Sequence, residues 1–499
     1  MRQQQSGEQA PSLRQSAIRG ASTTIVGQAA KFTIQTTSTI VLARLLAPED
    51  FGLYAMATPM MAVAMLAQDL GLTQAVVTAR SIDRRALSTL YAINVGVSLL
   101  IALSLVLAAP LLAAFYGHPR LTPIVMVMGG VVVLSGLTSI HQALLLRGLR
   151  YGRLVANDIC TALAGLFAAI GLALVAPGPL ALVISNVVGA TVLLGLAAAS
   201  SGWRPSGLAK LGEVRDLLRF GGGLTGFNIT NFVARNGDNV IIGAALGSTP
   251  LGYYDRAYKL MLLPLQQINS PISSVMVPLL SRLTDHPERY RAAYLNALRI
   301  LLLIALPGVV FLFMAADPLI PTLLGEKWRP AVAVFTWLAV AALHQPLTST
   351  IGWLFMSQHR TPEFAKWGVV NAVTCLAAFA AGLPWGVVGV AAAYALSDLF
   401  LRAPAVWWYV GRRGPVRTSD FYKVAAPYAA AAAVAAGGLW MFKRLANLED
   451  IVLLAAMAAL SYLSFWAAIL LTPDGRTTFA ELARIAGARR RADPSRAGV

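Results

Sequence analysis

Long apolar runs separated by short polar stretches fill this chain from about residue 21 to residue 471. A helix needs about 20 mainly apolar residues to cross a bilayer, and this length criterion predicts about fourteen spans. The predicted spans cover residues 21–46, 51–79, 86–115, 122–146, 155–176, 179–200, 220–247, 251–281, 293–315, 330–356, 364–383, 386–409, 422–442 and 450–471. The first, second, seventh and eighth are the most polar, so a hydropathy average alone would underrate them.

The composition supports a membrane protein. Of the 499 residues, 57% are hydrophobic and only 12% are charged, whereas soluble domains have about 45–50% apolar residues with Gly included and about 25% charged ones. We therefore predict an all-α polytopic membrane protein. The first twenty residues lack the apolar segment of a signal peptide, and we interpret 1–20 as a retained cytoplasmic tail.

A polar stripe occurs twice, once near the start of the chain and once near its middle. The first copy has the spacing of one helix face, and its members are Gln28, Lys31, Gln35 and Ser38. Adding 200 to each number gives positions that are also polar, and they are Asn228, Asn231, Arg235 and Asp238. Each stripe is followed by the same spacing of identical residues, for example Leu46, Gly52 and Tyr54 against Leu246, Gly252 and Tyr254.

This repeat predicts two pseudo-symmetric six-helix lobes, an N-lobe over 21–200 and a C-lobe over 220–409. A cytoplasmic amphipathic linker over 201–219 would join them. Two further helices within 422–471 and a basic cytoplasmic tail over 472–499 would follow. The apolar stripes in the linker and the tail, flanked by basic residues, predict helices that lie on anionic lipids.

The formal net charge of +18 reports topology. With the N-terminus in the cytoplasm, 29 of the 40 Lys and Arg residues fall in the tails and cytoplasmic connections, and five fall on the opposite side. This asymmetry follows the positive-inside rule, which supports the span count and places both termini in the cytoplasm. It also argues against nucleic acid as the partner.

The six basic residues counted on neither side lie inside predicted spans, where each costs about 2.5–3.5 kcal/mol at the bilayer centre. They are Lys31, Arg44, Arg235, Arg256, Lys259 and Arg402. Arg44 can extend to the membrane surface, and a pair with Asp398 one turn away is the simpler interpretation of Arg402. Against Asp238 and Asp255, the other four leave a net charge of +2.

That excess predicts a central cationic cavity that attracts an anion, lined also by Gln28, Gln35, Asn228 and Asn231. Two polar lobes around such a cavity are typical of a transporter. The alternative interpretation is that the cations form interhelical salt bridges.

Other candidates are less specific. Tyr254 and Tyr258 could stack against a sugar or pack within the protein. Asp238, Asp69 and His344 are candidates for proton coupling, although His344 also fits a hydrogen-bonded core histidine. The scattered histidines and two cysteines predict no metal site, and Gly221–Gly223 lacks the Lys and Ser/Thr of a nucleotide loop. We expect no cofactor.

Two motifs resemble a known family. The segment ARLLAPEDFGLY at 43–54 resembles the A-R-x-L-x-P-x-x-F-G-x-Y turn of Wzx-type polysaccharide flippases, in the multidrug/oligosaccharidyl-lipid/polysaccharide exporter superfamily. DNVIIG at 238–243 and LGYYDRAY at 251–258 are similar to its second-half counterparts, D-N-x-x-I-G and L-G-x-Y-x-x-A-Y. Together with span number and repeat, the likeness extends over almost the whole chain.

The resemblance implies a V-shaped arrangement of the lobes in the bacterial cytoplasmic membrane. It implies flipping of undecaprenyl-pyrophosphate-linked oligosaccharides from the inner to the outer leaflet, for exopolysaccharide, capsule or O-antigen assembly. A polysaccharide polymerase complex is a possible partner, and a monomer is expected. The alternatives are a drug or cation antiporter of the same superfamily, a membrane-embedded glycosyltransferase or polymerase, and a non-transporting scaffold. The short external loops disfavour the enzyme, and the basic excess disfavours the cation antiporter.

Overall fold

A computed structural model describes residues 13–69, 71–79, 82–210, Gly212, Val214 and 237–491. Within these ranges the chain is helical and contains no β-strand. It divides into two compact units, the first ending at Asn236 and the second beginning at Gly237. The all-α architecture predicted from the apolar runs is therefore confirmed for the described residues.

The first unit contains seven described helices that end at turns rather than running on. They are α1 (Leu13–Leu45), α2 (Pro48–Asp69), α3 (Leu72–Thr78), α4 (Arg84–Tyr116), α5 (Leu121–Arg147), α6 (Tyr151–Val175) and α7 (Pro179–Ser201). Gly117 and Gly202 follow α4 and α7 with φ angles of 69° and 66°. Glycine adopts this left-handed conformation without steric cost, and it ends each helix there.

The second unit contains thirteen described α-helices, several of them short. They are α8 (Gly237–Leu246), α9 (Ser248–Ser281), α10 (Pro287–Met314), α11 (Ala316–Leu324), α12 (Ala331–Ala342), α13 (Gln345–Ser349), α14 (Ile351–Ser357), α15 (Thr361–Gly382), α16 (Gly386–Ser397), α17 (Ala403–Gly411), α18 (Thr418–Leu445), α19 (Asp450–Leu470) and α20 (Pro473–Arg491). Short 3₁₀ helices occupy Glu326–Trp328 and Leu383–Trp385, and a π-helix, Asp398–Arg402, separates α16 from α17.

Nine helical stretches of the described chain are long and apolar enough to cross a membrane, or ten if the bent pair of α12 with α13–α14 forms one span. The predicted total of fourteen is thus not confirmed. One stretch, Thr361–Gly411, has 51 residues, which is more than twice the length of a single span. Gly386, with φ 68°, interrupts it, so it corresponds to two predicted spans. The polar helices α1 and α9 are not among these nine apolar stretches, as their composition led us to expect.

The internal repeat is visible in the helix boundaries. α2 begins at Pro48 and α9 at Ser248, so their first residue numbers differ by 200. For α5 and the α12–α14 segment, the first and the last residue numbers both differ by 210, because α11 and the 3₁₀ helix after it lengthen the second unit. The difference predicted from the polar stripes is therefore correct for the start of each unit and increases later.

A turn between helices that occurs in both units confirms the difference of 210 in residue number. Leu149 and His359 are the two non-glycine residues with positive φ in the described chain, at 53° and 56°. After each, the Arg150 amide donates to Leu145 O at 2.9 Å, and the Arg360 amide donates to Phe355 O at 2.8 Å. Such bonds satisfy the open carbonyls at a helix end.

The two arginines also contact matching carbonyls. Arg150 Nη1 donates to Ser200 O at 3.2 Å, and Arg360 Nη1 donates to Val410 O at 3.4 Å. The numbers of the two accepting residues again differ by 210. The two units therefore share this turn and also the arginine side chain that bonds from the turn to the end of a later helix.

Gly212 and Val214 of the predicted linker are helical, whereas the preceding segment, residues 203–210, is not. Its backbone is instead held by side chains of α4. The Ser206 amide donates to Ser88 Oγ and the Ala209 amide to Thr89 Oγ1, both at 2.8 Å. Pro205 lies in this segment and cannot donate a helical hydrogen bond, which favours the extended path.

The two helices predicted near the C-terminus, α18 and α19, pack on α10 of the second unit. Arg291 Nε of α10 donates to Asp420 Oδ2 of α18 at 2.8 Å, and Ser461 Oγ of α19 donates to Pro307 O at 2.7 Å. Trp466 Nε1 of α19 donates to Leu303 O at 3.1 Å. The tail helix α20 also contacts α10, through an Arg299–Asp474 ion pair of 3.1 Å. These contacts make both helices and the start of the tail part of the second unit.

Candidate functional site

The first unit holds a charge pair between two of its helices. Lys31 Nζ on α1 lies 3.2 Å from Asp158 Oδ2 on α6. Both side chains are 44% exposed, so the pair faces an accessible surface and is not sealed within the helix packing. The predicted span that contains Lys31, residues 21–46, has no acidic residue, and the partner of Lys31 comes from another helix.

Gly27 lets the two helices approach closely enough for this pair. A β-carbon at Gly27 would overlap Val155 Cγ1 on α6, far inside van der Waals contact. Gly27 precedes Lys31 by one helical turn, and Val155 precedes Asp158 by nearly one turn, so the close contact and the ion pair lie on the same faces. The local sequence thus positions Lys31 against Asp158.

The other polar positions of α1 agree with an accessible stripe. Gln28 and Gln35 are exposed, and Arg44 is exposed in the last turn of the helix. Asp69, the proton-coupling candidate of this unit, accepts a hydrogen bond of 2.6 Å from Thr73 Oγ1. This bond ties Asp69 to the start of α3 and does not connect it to the Lys31–Asp158 pair.

In the second unit, one carboxylate holds two cations on α9. Asp255 Oδ2 lies 2.7 Å from Arg256 Nη2, and Asp255 Oδ1 lies 2.8 Å from Lys259 Nζ. Asp255 and Arg256 are buried, whereas the Lys259 side chain is 40% exposed. Lys259 is therefore the accessible cation of this group, and it pairs with Asp255, which lies one turn earlier on the same helix.

The charge count requires a correction. Among described residues, the candidate cations Lys31, Arg256 and Lys259 are matched by the carboxylates Asp158, Asp238 and Asp255. The predicted net charge of +2 omitted Asp158, because the spacing along the sequence does not reveal which helix packs against α1. With Asp158 included, the four cations of that prediction leave a net charge of +1. This smaller excess brings the charges closer to the salt-bridge interpretation than the sequence suggested.

Tyr254 and Tyr258 stack on each other, with ring centroids 6.0 Å apart and ring planes 6° apart. Tyr254 is buried, so its ring is enclosed, while Tyr258 is partly buried. This burial favours the packing interpretation for Tyr254. Asp238 is also buried, and its Oδ1 accepts the Asn239 amide at 2.8 Å.

A second buried polar group joins three residues of the second unit. His344 Nε2, between α12 and α13, lies 2.6 Å from Asp398 Oδ2 in the π-helix. Asp398 Oδ1 lies 3.2 Å from Arg402 Nη2, and the Arg402 guanidinium lies over the Tyr394 ring at 4.6 Å. The predicted pair of Asp398 with Arg402 is confirmed, and His344 extends it.

Three predicted site residues lie outside the described part of the chain: Asn228, Asn231 and Arg235. Their assignment stays a prediction, as does the cavity predicted from them. In the described part, no group of three or more His, Cys, Asp or Glu residues has the arrangement of a metal site.

A family comparison covers most of the first unit and continues into the second. Residues 41–333, more than half of the chain, match the family described as polysaccharide biosynthesis protein. The chain belongs to the polysaccharide biosynthesis protein family. The matched region includes both motifs from which the resemblance was drawn, so the predicted relationship is confirmed.

Individual relatives are similar in sequence to this chain over long stretches. The lipopolysaccharide biosynthesis protein WzxC of Escherichia coli (strain K12) is 25% identical over 392 residues, which are 78% of this chain and 80% of WzxC. The succinoglycan biosynthesis transport protein ExoT of Rhizobium meliloti (strain 1021) is 25% identical over 359 residues, 72% of each chain. Both names concern bacterial polysaccharide assembly.

Solved structures show the same fold at low identity. The lipid II flippase MurJ in its inward closed conformation aligns with a TM-score of 0.72 at 12% identity, over 89% of this chain and 98% of MurJ. An inward-facing multidrug resistance MATE family transporter of the MOP superfamily aligns with a TM-score of 0.60 at 15% identity, over 79% of this chain and 96% of the transporter. The family member described here is thus a multi-pass membrane protein with the fold of membrane transporters.

Sequence reasoning missed one residue that changes the site, Asp158. It lies inside the fifth predicted span, where a charged residue is a functional candidate by default. An inspection of acidic residues within spans, parallel to the one made for basic residues, would have found it.

Proposed function

We propose that this protein flips an undecaprenyl-pyrophosphate-linked oligosaccharide from the inner to the outer leaflet of the bacterial cytoplasmic membrane. The relatives named for lipopolysaccharide and succinoglycan assembly support the class of substrate. The fold shared with a lipid II flippase supports the type of movement. The product would enter exopolysaccharide, capsule or O-antigen assembly, with a polymerase complex as the next partner.

The half-exposed Lys31–Asp158 pair is the observation that supports the proposal most directly. A pyrophosphate needs cationic hydrogen-bond donors, and a membrane helix retains a lysine at considerable cost only when that lysine has a use. Lys31 is accessible on the polar face of α1 and is balanced by one carboxylate. An arriving pyrophosphate can replace that carboxylate without leaving a buried charge unpaired.

In the second unit, Lys259 has the corresponding properties. Its ammonium is accessible, and the buried Arg256 keeps Asp255 neutralised when Lys259 turns to another anion. We therefore assign phosphate binding to Lys31 and Lys259, with Arg235 as a further cation. Gln28, Gln35, Asn228, Asn231 and Tyr258 supply polar contacts to the glycan in this proposal, and Arg44 lies at the outer end of α1.

Alternating access driven by an ion gradient completes the proposal. Asp238, Asp69 and His344 are the candidates for proton coupling. Both termini lie in the cytoplasm, where the basic tail contacts anionic lipids, and the protein acts as a monomer without catalysing a chemical reaction.

Deleting the gene and quantifying lipid-linked oligosaccharide by mass spectrometry tests the proposal. We expect accumulation on the cytoplasmic leaflet, reversed by the wild type and by the control Arg120→Ala, whose side chain is exposed outside the spans. Lys31→Ala, checked for normal membrane insertion, should not reverse it, and Lys31→Arg should do so partly.

Unchanged surface polysaccharide with no accumulation in the deletion strain would refute flipping itself. Full reversal by Lys31→Ala would refute the phosphate assignment and leave flipping in place.

A further inference from the structure

The buried group of His344, Asp398 and Arg402 links two irregular points of the second unit. His344 lies at a break where α12 and the α13–α14 segment are bent by 51°. Asp398 and Arg402 begin and end the π-helix between α16 and α17. The 2.6 Å contact from His344 Nε2 to Asp398 Oδ2 joins the break to the π-helix. Breaks and π-turns in helices have identifiable causes and are frequent at functional sites.

The first unit shows that the fold does not require this group. Its α5, which matches the α12–α14 segment in the repeat, is one unbroken helix. Likewise α7, whose last residue matches that of α17, contains no π-turn. Subtracting 210 from the numbers of the three polar residues gives Leu134, Val188 and Val192. Apolar packing thus serves the same positions elsewhere in this chain.

Retaining three ionisable groups inside a membrane protein is costly when apolar residues suffice. In the second unit, the three ionisable residues lie at the helix break and at the π-helix. In its described part, the first unit has apolar residues at the matching positions and has neither the break nor the π-turn. The polar group and the irregular backbone therefore form one feature, which calls for a role beyond packing.

The charges of the group suggest its ligand. Asp398 and Arg402 neutralise each other, so the group is neutral while the imidazole is neutral. With Nε2–H donating to Asp398, Nδ1 is the free basic nitrogen, and it is buried with no hydrogen-bond partner among the described residues. Histidine is the side chain whose ordinary charge change falls near neutral pH. One proton on Nδ1 would give the group a net positive charge.

We propose that His344, positioned by Asp398 and Arg402, is a proton-binding site of the second unit, and that its occupancy sets the bend between α12 and α13. A protonated imidazole shares the Asp398 carboxylate with the Arg402 guanidinium, so the two cations repel each other across it. That repulsion acts on the helix break after α12 and on the π-helix, the two points where the regular α-helical pattern is interrupted. As a coupling device the site rests on the proposed function, whereas proton binding does not.

Other titratable groups surround the site. Cys375 on α15 and Tyr394 on α16 lie within electrostatic range of Asp398 and Arg402, and Tyr258 on α9 lies within range of Tyr394. On α10, the Tyr294 hydroxyl bonds to Thr350 Oγ1 at 2.8 Å. Asp238 is within range of Cys375. Asp398 is the carboxylate in direct contact with the imidazole.

Hydrogen–deuterium exchange on the purified full chain in nanodiscs tests proton binding without any transport assay. Exchange of 340–352 and 394–405 is compared at pH 6 and pH 8 after correction for the intrinsic pH dependence of exchange. We expect a pH-dependent difference in both segments of the wild type. His344→Gln retains an amide donor toward Asp398 but takes up no proton, and it should lose that difference.

Two further variants separate proton binding from packing. His141→Gln replaces the buried histidine of the first unit, which bonds to Ser201 Oγ at 2.9 Å, and it should retain the difference. The triple variant His344→Leu, Asp398→Val, Arg402→Val copies the first unit and should remain folded without the difference. Equal corrected exchange at both pH values in the wild type, or an unchanged difference in His344→Gln, would overturn the proposal.

A pH profile of flipping in proteoliposomes tests coupling. The wild type should change rate between pH 6 and pH 8, and His344→Gln should lose that dependence while His141→Gln keeps it. A pH profile of His344→Gln that matches the wild type would overturn coupling through this site. If the wild type flips no lipid-linked oligosaccharide at any pH, the proposed function fails, and the exchange result still decides proton binding.

Discussion

Asp158→Asn isolates the role of the carboxylate that neutralises Lys31. The substitution keeps the size and shape of the side chain and removes one negative charge from the accessible surface between α1 and α6. If Lys31 binds a pyrophosphate, Asp158 competes with the ligand for the ammonium and also repels it. We therefore expect tighter anion binding and nearly unchanged stability.

The geometry sets both magnitudes. Unit charges 3.2 Å apart attract by about 1.3 kcal/mol at the dielectric constant of water and by about 5 kcal/mol at an effective value near 20. Both side chains are 44% exposed, and exposed pairs contribute only about 0.2–1 kcal/mol to folding. A ligand charge about 5 Å from Asp158 is repelled by about 1 kcal/mol in water, and the loss of the competing ion pair adds up to about 1 kcal/mol. A pyrophosphate should therefore gain about 5- to 30-fold in affinity.

Titration calorimetry with geranyl pyrophosphate on the purified protein in detergent measures this gain. The effect should shrink at high salt relative to low salt, since ions screen exposed charges. Lys31→Ala should weaken binding. The double variant should bind more tightly than Lys31→Ala by less than Asp158→Asn gains over the wild type, because only the repulsion between Asp158 and the ligand is then removed. Weaker or equal binding by Asp158→Asn would show that the pair is purely structural, and the reasoning about Lys31 would be wrong.

Three further outcomes are expected from stability measurements. Asp420→Ala should lower the free energy of unfolding by about 1–2 kcal/mol, because it removes the bond that caps the Arg417 amide and the ion pair with the half-exposed Arg291; an unchanged thermal midpoint would contradict this. Glu326→Gln, in a fully exposed ion pair, should leave the thermal midpoint unchanged and serves as the contrast. Gly382→Val should abolish correct folding of the α15–α16 hairpin, because a β-carbon there would lie 2.5 Å from Gly389 O; a normal yield of folded, monodisperse protein would refute it.

Much of the fold follows from local sequence. The apolar runs fix where helices form, because no other secondary structure satisfies backbone groups within lipid apart from a closed barrel. The repeat of the polar stripe predicted two related units, and the starts of α2 and α9 confirm it. The helix ends were less predictable. Residues 203–210 were included in the predicted linker helix, but they are not helical, and hydrogen bonds to Ser88 and Thr89 hold their backbone.

The candidate site was only partly predictable. Lys31 and Lys259 stand out from sequence because a charge within an apolar helix is expensive. The carboxylates that pair with these two lysines were not equally predictable. Asp255 is one turn from Lys259 and could be inferred from helical spacing, whereas Asp158 lies 127 positions after Lys31. A contact across that distance depends on which helices pack together, and no local pattern records it.

The sequence by itself determined the class of this protein, its family and its internal duplication, because each rests on periodicity and on short motifs within single helices. Tertiary structure decided which charges meet. It joined Lys31 to Asp158, and it joined His344 to a pair that the sequence presented as self-sufficient, Asp398 with Arg402. Electrostatic energy depends on distance in space and on burial, and both quantities are set by the packing of helices that are remote along the chain.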